Sequence, residues 1–345
     1  MVVTSAVSIR LLASRTLNQI RCWISYALSL FGVVRVRHLP TFVSVEPANF
    51  CQLRCPECPV GTASRLSPLA SSPNRLMTIE LFYRILDQVK EHTHTMQFYF
   101  QGEPLLNKQL PEMIAMAHQV GLYTIVSTNA QALSRSIAEA LVKSGLNRII
   151  VSIDGFSEES YAAYRVGGSL HKALEGLQHL ANAKAELHSR IRIELQVLRL
   201  RSNEHEWDWI KKNYKKLGAT HLVFKTAQLY NFEHGHPLMP TDERYSRYKK
   251  IADGTYIHKS SHLSPLTLSP HRLIALQPCL RLWSGCVITT SGDVLPCCYD
   301  KDHRHTLGNI TTHSLSEIFH SSKANTLRKH ILIGHLPEMC NNCDH

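Results

Sequence analysis

The chain has 345 residues, 44% hydrophobic and 19% charged, with a formal charge of +11, which suits one large packed domain, or a core with an appended module, and excludes extensive disorder. The basic excess is scattered rather than blocked: Lys211, Lys212, Lys215 and Lys216 read as the wet face of a helix, and no basic tail for nucleic acid is present. No run of about 18 apolar residues occurs, so a spanning helix is not expected.

Residues 1–45 carry Arg10, Arg15, Arg21, Arg35 and Arg37 among many apolar positions and no acidic residue. Residues 1–40 are therefore read as a basic helical extension. The leading reading is an ordinary helix packed on the main domain; a basic amphipathic helix in peripheral contact with a membrane, or an organelle transit peptide, stays open. No small-residue cleavage site follows a compact apolar core. Cys22 stands alone and reads as a small core residue.

A strand over 41–46 leads into Cys51, Cys55 and Cys58, spaced CxxxCxxC. Ten cysteines without a secretion signal suggest metal or redox ligands rather than a disulfide framework. Three soft thiolates favour an iron-sulfur cluster or zinc. A missing fourth ligand leaves a coordination position open for chemistry; a zinc ion completed by a distant His or Cys is the alternative.

Beyond the cysteine loop, helical patterns alternate with short apolar runs, the mark of βα units on a parallel sheet. Helices are predicted over 78–92, 108–119, 134–144, 169–187 and 204–217, and strands over 96–101, 122–127, 147–153, 190–198 and 220–226. Polar motifs fall at the carboxyl ends of the strands, where such folds build their sites: Gln101-Gly102-Glu103-Pro104, Ser127-Thr128-Asn129 and Ser152-Ile153-Asp154-Gly155.

On these residues the chain resembles the radical S-adenosylmethionine enzymes. The resemblance implies an α/β fold, a partial (β/α)6 TIM-like barrel, over 41–226. It implies a [4Fe-4S] cluster on Cys51, Cys55 and Cys58 with S-adenosylmethionine at the open iron, and cleavage of that cofactor to a 5'-deoxyadenosyl radical. Gly102 and Glu103 then take the cofactor's ammonium, in a GGEP-like motif whose first glycine is replaced by Gln101. Ser127, Asn129, Ser152 and Asp154 bond the ribose and carboxylate, and Arg165 pairs the carboxylate. Gln196 and Lys225 are polar groups at the ends of apolar strands, expected to face the lumen, Gln196 toward cofactor and Lys225 toward substrate. Glu57 occupies the position before the last cysteine that is often aromatic in the family, leaving adenine to backbone and aliphatic groups.

From 227 to 270 the pattern loosens into a connector with one helix near 241–252. Residues 271–345 hold six cysteines around a predicted hairpin, Val287 to Thr290 and Val294 to Leu295, and a helix opened by the capping box Ser314-Leu315-Ser316-Glu317. This resembles the auxiliary-cluster module called SPASM or its shortened form, twitch. The resemblance implies a second [4Fe-4S] cluster on Cys279, Cys297, Cys340 and Cys343, with Cys286 and Cys298 as alternates; structural zinc is the rival.

The expected activity is hydrogen abstraction in peptide or protein modification, with oxidation of a small carbohydrate or alcohol as the alternative. A reductant such as flavodoxin or ferredoxin is implied, and oxygen-labile thiolates imply the cytoplasm. A zinc-binding nucleic-acid protein is the reading from another class, disfavoured because no aromatic-basic interleaving accompanies the charge.

Overall fold

The computed structural model describes residues 9–62, 75–259 and 279–343. The last part of the connector assigned to 227–270 and the first residues of the module assigned to 271–345 lie outside the described residues. A long helix α1 (Ile9–Ser29) precedes β1 (Phe42–Val45) and a short α2 (Pro59–Thr62). Then follow α3 (Ile79–Val89), β2 (Thr95–Phe98), α4 (Leu110–Gln119), β3 (Tyr123–Thr128), α5 (Arg135–Lys143), β4 (Arg148–Ser152), α6 (Glu158–Ala162), α7 (Leu170–Glu186), β5 (Arg192–Arg199), α8 (Trp207–Asn213) and β6 (His221–Thr226). Neighbouring strands from β1 to β6 pair in parallel, giving the partial barrel.

The helices form where an apolar stripe recurs every three to four residues. In α3 that stripe is Phe82, Ile85, Leu86 and Val89, and Thr78 caps the start by accepting from the Leu81 amide. Ser134 and Ser169 do the same for α5 and α7. The strands alternate: β5 turns Ile193, Leu195 and Val197 into the core shared with the helices, which sends Glu194, Gln196 and Leu198 to the lumen.

Three sequence expectations shift. The helix expected near 241–252 is instead a 3-10 turn, Glu243–Tyr245, and a small antiparallel pair, β7 (Tyr248–Lys250) and β8 (Tyr256–His258). Its polar pattern yields to one aromatic anchor: the Tyr248 ring stacks 4.1 Å from that of Phe232, and its hydroxyl accepts from the Leu229 amide. The helix expected over 204–217 opens as a 3-10 turn and is α-helical only over α8. The strand expected over 96–101 ends at Phe98, freeing residues 99–101 to line a cavity.

The C-terminal segment runs α9 (Leu280–Ser284), β9 (Gly285–Ile288), β10 (Asp293–Leu295), β11 (Gly308–Asn309), α10 (Leu315–Phe319) and α11 (Ser322–Leu332). The hairpin and the Ser314 capping box form as expected. However, β9 pairs in parallel with β1, so the hairpin extends the barrel sheet in the order β11-β10-β9-β1-β2-β3-β4-β5-β6. One continuous sheet thus holds both cysteine groups in fixed relation.

At this junction lies Glu46, 1% exposed, with no well-formed hydrogen bond to either carboxylate oxygen. Burial pushes its carboxyl up to about 7, the nearby Thr290 and Gln101 amides and Lys301 offsetting only part of the cost. Because the folded value is raised, the stability of the protonated form is fully present below about 4.5 and is lost as pH rises through about 7. Glu46→Gln is therefore expected to gain on wild type by about 3 kcal/mol between pH 5 and pH 8, at ~1.4 kcal/mol per pKa unit. Anaerobic denaturant titration at the two pH values measures this; an equal gap at both pH values contradicts it.

Helix α1 docks by its polar side. Arg15, 1% exposed, donates to the carbonyls of Lys90, Val120 and Gly121 at 2.6–3.0 Å, capping the C-terminal ends of α3 and α4. Asn18 bonds the Leu39 and His92 carbonyls. The Cys22 thiol is fully buried, 3.7 Å from the Trp283 carbonyl. The helix is thus packed on the main domain, against the N-terminal ends of β2 and β3.

Candidate active site

The carboxyl ends of the strands open into a cavity of about 580 Å³ at the opposite end from α1. Cys51, Cys55 and Cys58 line one wall, with Gly102, Glu103, Ser127, Asn129, Ser152, Arg165, Gln196 and Lys225 around it. The structure therefore brings together all but one of the residues the sequence nominated for this pocket.

The exception is Asp154, which is fully buried and not among the cavity-lining residues. It stands behind Arg165, its Oδ2 2.5 Å from the guanidinium, and its Oδ1 accepts from the Leu198 amide at 2.6 Å. Its role here is to aim Arg165 and to tie β4 to β5. Arg165 in turn reaches the cavity, with Nη1 3.9 Å from the Cys55 sulfur.

Glu103 is 3% exposed. It accepts from Thr128 Oγ1 at 2.7 Å, the Asn129 amide at 2.9 Å and the Leu105 amide at 3.2 Å. Burial raises its pKa, and those donors pull it back. The carboxylate thus clamps the ends of β2 and β3 together while facing the cavity. Thr128 also lines the cavity; the sequence named it within Ser127-Thr128-Asn129 but gave it no role, because its partner Glu103 lies 25 residues away on the neighbouring strand end.

Gly102 is required sterically: a Cβ there would come 2.1 Å from the Ala48 carbonyl oxygen. No such demand holds at Gln101, whose amide instead donates to the Lys301 carbonyl at 2.8 Å and pins the C-terminal hairpin over the cavity. The departure from a double glycine thus has a structural use. Glu57 likewise accepts from the Tyr230 amide at 2.6 Å and lies 3.2 Å from His236 Nε2, holding the connector against the cysteine loop.

The thiol wall fits a cluster. Burial and the neighbouring Glu103, Cys58 and Cys55 push the Cys51 thiol up to about 12 against the pull of the Leu53 amide. Burial also raises Cys55, with Arg165 opposing. Burial and crowding disfavour these thiolates, and a cationic group among them would reverse that cost. Asn129 Nδ2 donates to Cys51 at 3.3 Å, and Gln52 holds the Asn129 carbonyl oxygen at 3.0 Å, a sulfur hydrogen bond of the type that tunes clusters. No group of three or more described His, Cys, Asp or Glu side chains is gathered for a single metal ion; Cys51, Cys55 and Cys58 would hold an iron-sulfur cluster.

At the hairpin, burial pushes Cys297 up to about 12, together with neighbouring Cys298, Cys279 and Cys340. Cys340 rises likewise, with Cys279 and Cys343 beside it. These thiols therefore share one neighbourhood. Arg281 donates to Cys298 at 3.1 Å and also lines the cavity, linking the two thiol sites. Cys286 is different: it sits in β9 within the main core, 2% exposed, and burial pushes it up to about 12, with Arg328 opposing.

Sequence reasoning did not find Tyr99, Tyr230, Arg247, Arg281, Tyr299 or Lys301, which also line the cavity. Arg247 Nε donates to Thr226 Oγ1 at 3.1 Å across the end of β6. Arg281 and Tyr299 each lie two residues from a nominated cysteine, a proximity that could have flagged them; the others come from loops without a motif.

Residues 45–191 match the radical SAM superfamily and residues 279–344 match SPASM, an iron-sulfur cluster-binding domain. Among solved structures, Streptococcus suis SuiB aligns with a TM-score of 0.61 at 13% identity, over 89% of this chain and 72% of that one. SuiB bound to precursor peptide SuiA gives 0.60 at 13% identity, over 85% and 67%. Native anSMEcpe with bound AdoMet and Cp18Cys peptide gives 0.58 at 18% identity, over 88% and 86%. At such identities the likeness is one of fold. The two matched regions contain the two thiol sites and together span more than half of the chain; it belongs to the radical SAM superfamily, an enzyme with a [4Fe-4S] cluster and S-adenosylmethionine in its barrel and an auxiliary iron-sulfur cluster in a C-terminal SPASM domain.

Proposed function

We propose that this enzyme modifies a peptide or protein segment that carries an acidic group. The observation that carries the reading is the form and charge of the cavity. Through Pro59, Gln228, Tyr230, Tyr299 and Lys301 it continues into a second lobe of about 410 Å³ beside the C-terminal thiols. Lys225, Arg247, Arg281 and Lys301 line the main lobe. The cations of the main lobe suit an anionic group, and its continuation into a second lobe that mixes Lys301 and Arg304 with Asp300, Asp302 and Glu338 suits an extended chain better than a compact neutral sugar. The peptide complexes of SuiB and anSMEcpe support the same class.

In this reading Cys51, Cys55 and Cys58 ligate the cluster. Glu103 and the Gly102 backbone receive the cofactor's ammonium, Arg165 its carboxylate, and Ser127, Asn129, Ser152 and Gln196 its remaining polar groups. Asp154 positions Arg165. When bound, the reduced cluster and S-adenosylmethionine supply a 5'-deoxyadenosyl radical that takes a hydrogen atom from substrate. Lys225 holds the substrate's anionic group within reach of that chemistry.

Cys279, Cys297, Cys340 and Cys343 are the proposed auxiliary ligands. Cys298, paired with Arg281, remains the alternate, and Cys286 is set aside as a core thiol. The proposed domains are the extension over 1–40, the core over 41–226, the connector over 227–270 and the auxiliary domain over 271–345. A flavodoxin or ferredoxin is the proposed electron donor and the cytoplasm the proposed compartment.

The test supplies reconstituted holoenzyme with two peptide pools that differ only in Asp and Glu against Asn and Gln. Release of 5'-deoxyadenosine is expected to rise roughly tenfold or more with the acidic pool, about 1.4 kcal/mol of recognition. Lys225→Ala is expected to raise the KM for the acidic pool while leaving substrate-free cofactor cleavage unchanged. Equal response to both pools, with turnover on free sugars or alcohols, would contradict the proposal.

A further inference from the structure

Helix α1 is inverted relative to an ordinary surface helix. Its buried residues are Arg15, Asn18, Cys22, Ser25 and Ser29, a mostly polar stripe, whereas globular proteins turn an apolar stripe inward. Its exposed face carries Ile9, Leu12, Leu17, Ile20, Trp23 and Ile24. Ile20 is 49% exposed, Trp23 51% and Ile24 54%, and just past the helix end Phe31 reaches 83%. At 100° per residue these side chains fall within one contiguous arc. Single exposed apolar residues need no explanation, but a contiguous apolar face marks an interaction surface.

Charge identifies what covers it. Arg21 lies at the margin of the apolar arc, and Arg35 and Arg37 follow the helix; all three are exposed. No acidic residue occurs anywhere in residues 1–45. An apolar face with an arginine at its margin, followed by two exposed arginines and free of acidic residues, is the chemistry of an interfacial helix on an anionic bilayer. A tryptophan in that face, its ring edge-on to Tyr26 at 6.3 Å, suits the headgroup level. Spanning is excluded for it, because no helix among the described residues is long and apolar enough to cross a membrane.

We infer that α1 seats the enzyme on the surface of an anionic phospholipid membrane, lying in the plane of the interface. Its inward polar stripe fixes the mount rigidly, through the four Arg15 hydrogen bonds to the ends of α3 and α4. The mount is at the N-terminal ends of the strands, so the cavity at their carboxyl ends opens away from the bilayer. The membrane then localises the enzyme without blocking a water-borne substrate, and the inference is independent of what that substrate is.

The experiment is co-sedimentation of the full-length holoenzyme with vesicles of phosphatidylcholine alone and of phosphatidylcholine with phosphatidylglycerol. Binding to the anionic vesicles is expected to be roughly tenfold or more stronger, to weaken with salt, and to shift the Trp23 emission to shorter wavelength. Ile20→Glu/Ile24→Glu is expected to lose that binding while retaining 5'-deoxyadenosine formation. Arg21→Glu/Arg35→Glu/Arg37→Glu, which leaves the apolar face intact, is expected to lose the preference for anionic lipid and serves if the first variant folds poorly. Failure to bind either vesicle overturns the inference. So does equal binding to both, or a dimer in light scattering that Ile20→Glu/Ile24→Glu dissociates, which would make a second copy the occupant.

Discussion

Replacing Asp154 with Ala is expected to destabilise the enzyme by about 3–5 kcal/mol, the usual cost of leaving one member of a buried ion pair alone. Asp154 is fully buried and the Arg165 side chain is 14% exposed, at the cavity wall, so water replaces the lost partner only in part. The same change removes the acceptor of the Leu198 amide, leaving a second buried group unsatisfied. Arg165 would also lose its aim toward Cys55 and the cavity, and weaker binding of S-adenosylmethionine, by roughly tenfold or more, is expected with the loss of an oriented guanidinium. Asp154→Asn separates the two effects, because an amide oxygen can still accept from Leu198 but carries no charge. It should recover part of the stability and little of the cofactor affinity. Anaerobic denaturant unfolding and calorimetric titration with the cofactor measure both, and a variant as stable as wild type would show that Arg165 is held by other means.

The parallel core was legible because most of its strands and helices obey a local rule. The Thr78, Ser134 and Ser169 caps, the α3 stripe and the alternation of β5 all act within a few residues of themselves. The site was legible for a related reason: Gly102, Glu103, Ser127, Asn129 and Ser152 sit at strand ends, where the fold turns most polar residues toward a pocket. What escaped depends on long-range partners. Asp154 carries a strand-end motif but turns behind Arg165, and nothing local distinguishes a carboxylate that lines a cavity from one that braces its wall. Tyr248 overrode a helical pattern by stacking on Phe232. Lys301 and Arg281 reach the barrel only because β9 pairs with β1 across more than 200 residues of chain, a contact with no periodic signature.

The direction of α1 shows the same limit. Its apolar and basic residues were visible as an amphipathic pattern, but which face turns inward follows from Arg15 meeting the open carbonyl ends of α3 and α4. A buried arginine is costly unless its donors are satisfied. The three carbonyls that satisfy it come from positions 90, 120 and 121, and only the folded barrel gathers them.

The central claim is that Cys51, Cys55 and Cys58 hold the cluster that cleaves S-adenosylmethionine. Removing one of the three thiolates that would hold the cluster should abolish the site, because no fourth cysteine lines this cavity among the described residues. Anaerobic reconstitution with iron and sulfide, reduction, and assay for 5'-deoxyadenosine should therefore give product with wild type and none above background with Cys51→Ala, Cys55→Ala or Cys58→Ala. The variants should still retain the iron of the auxiliary site, which shows that they fold. Product formation by any of these variants at the wild-type rate, or a wild-type protein that holds zinc at these cysteines and makes no 5'-deoxyadenosine, would contradict the account.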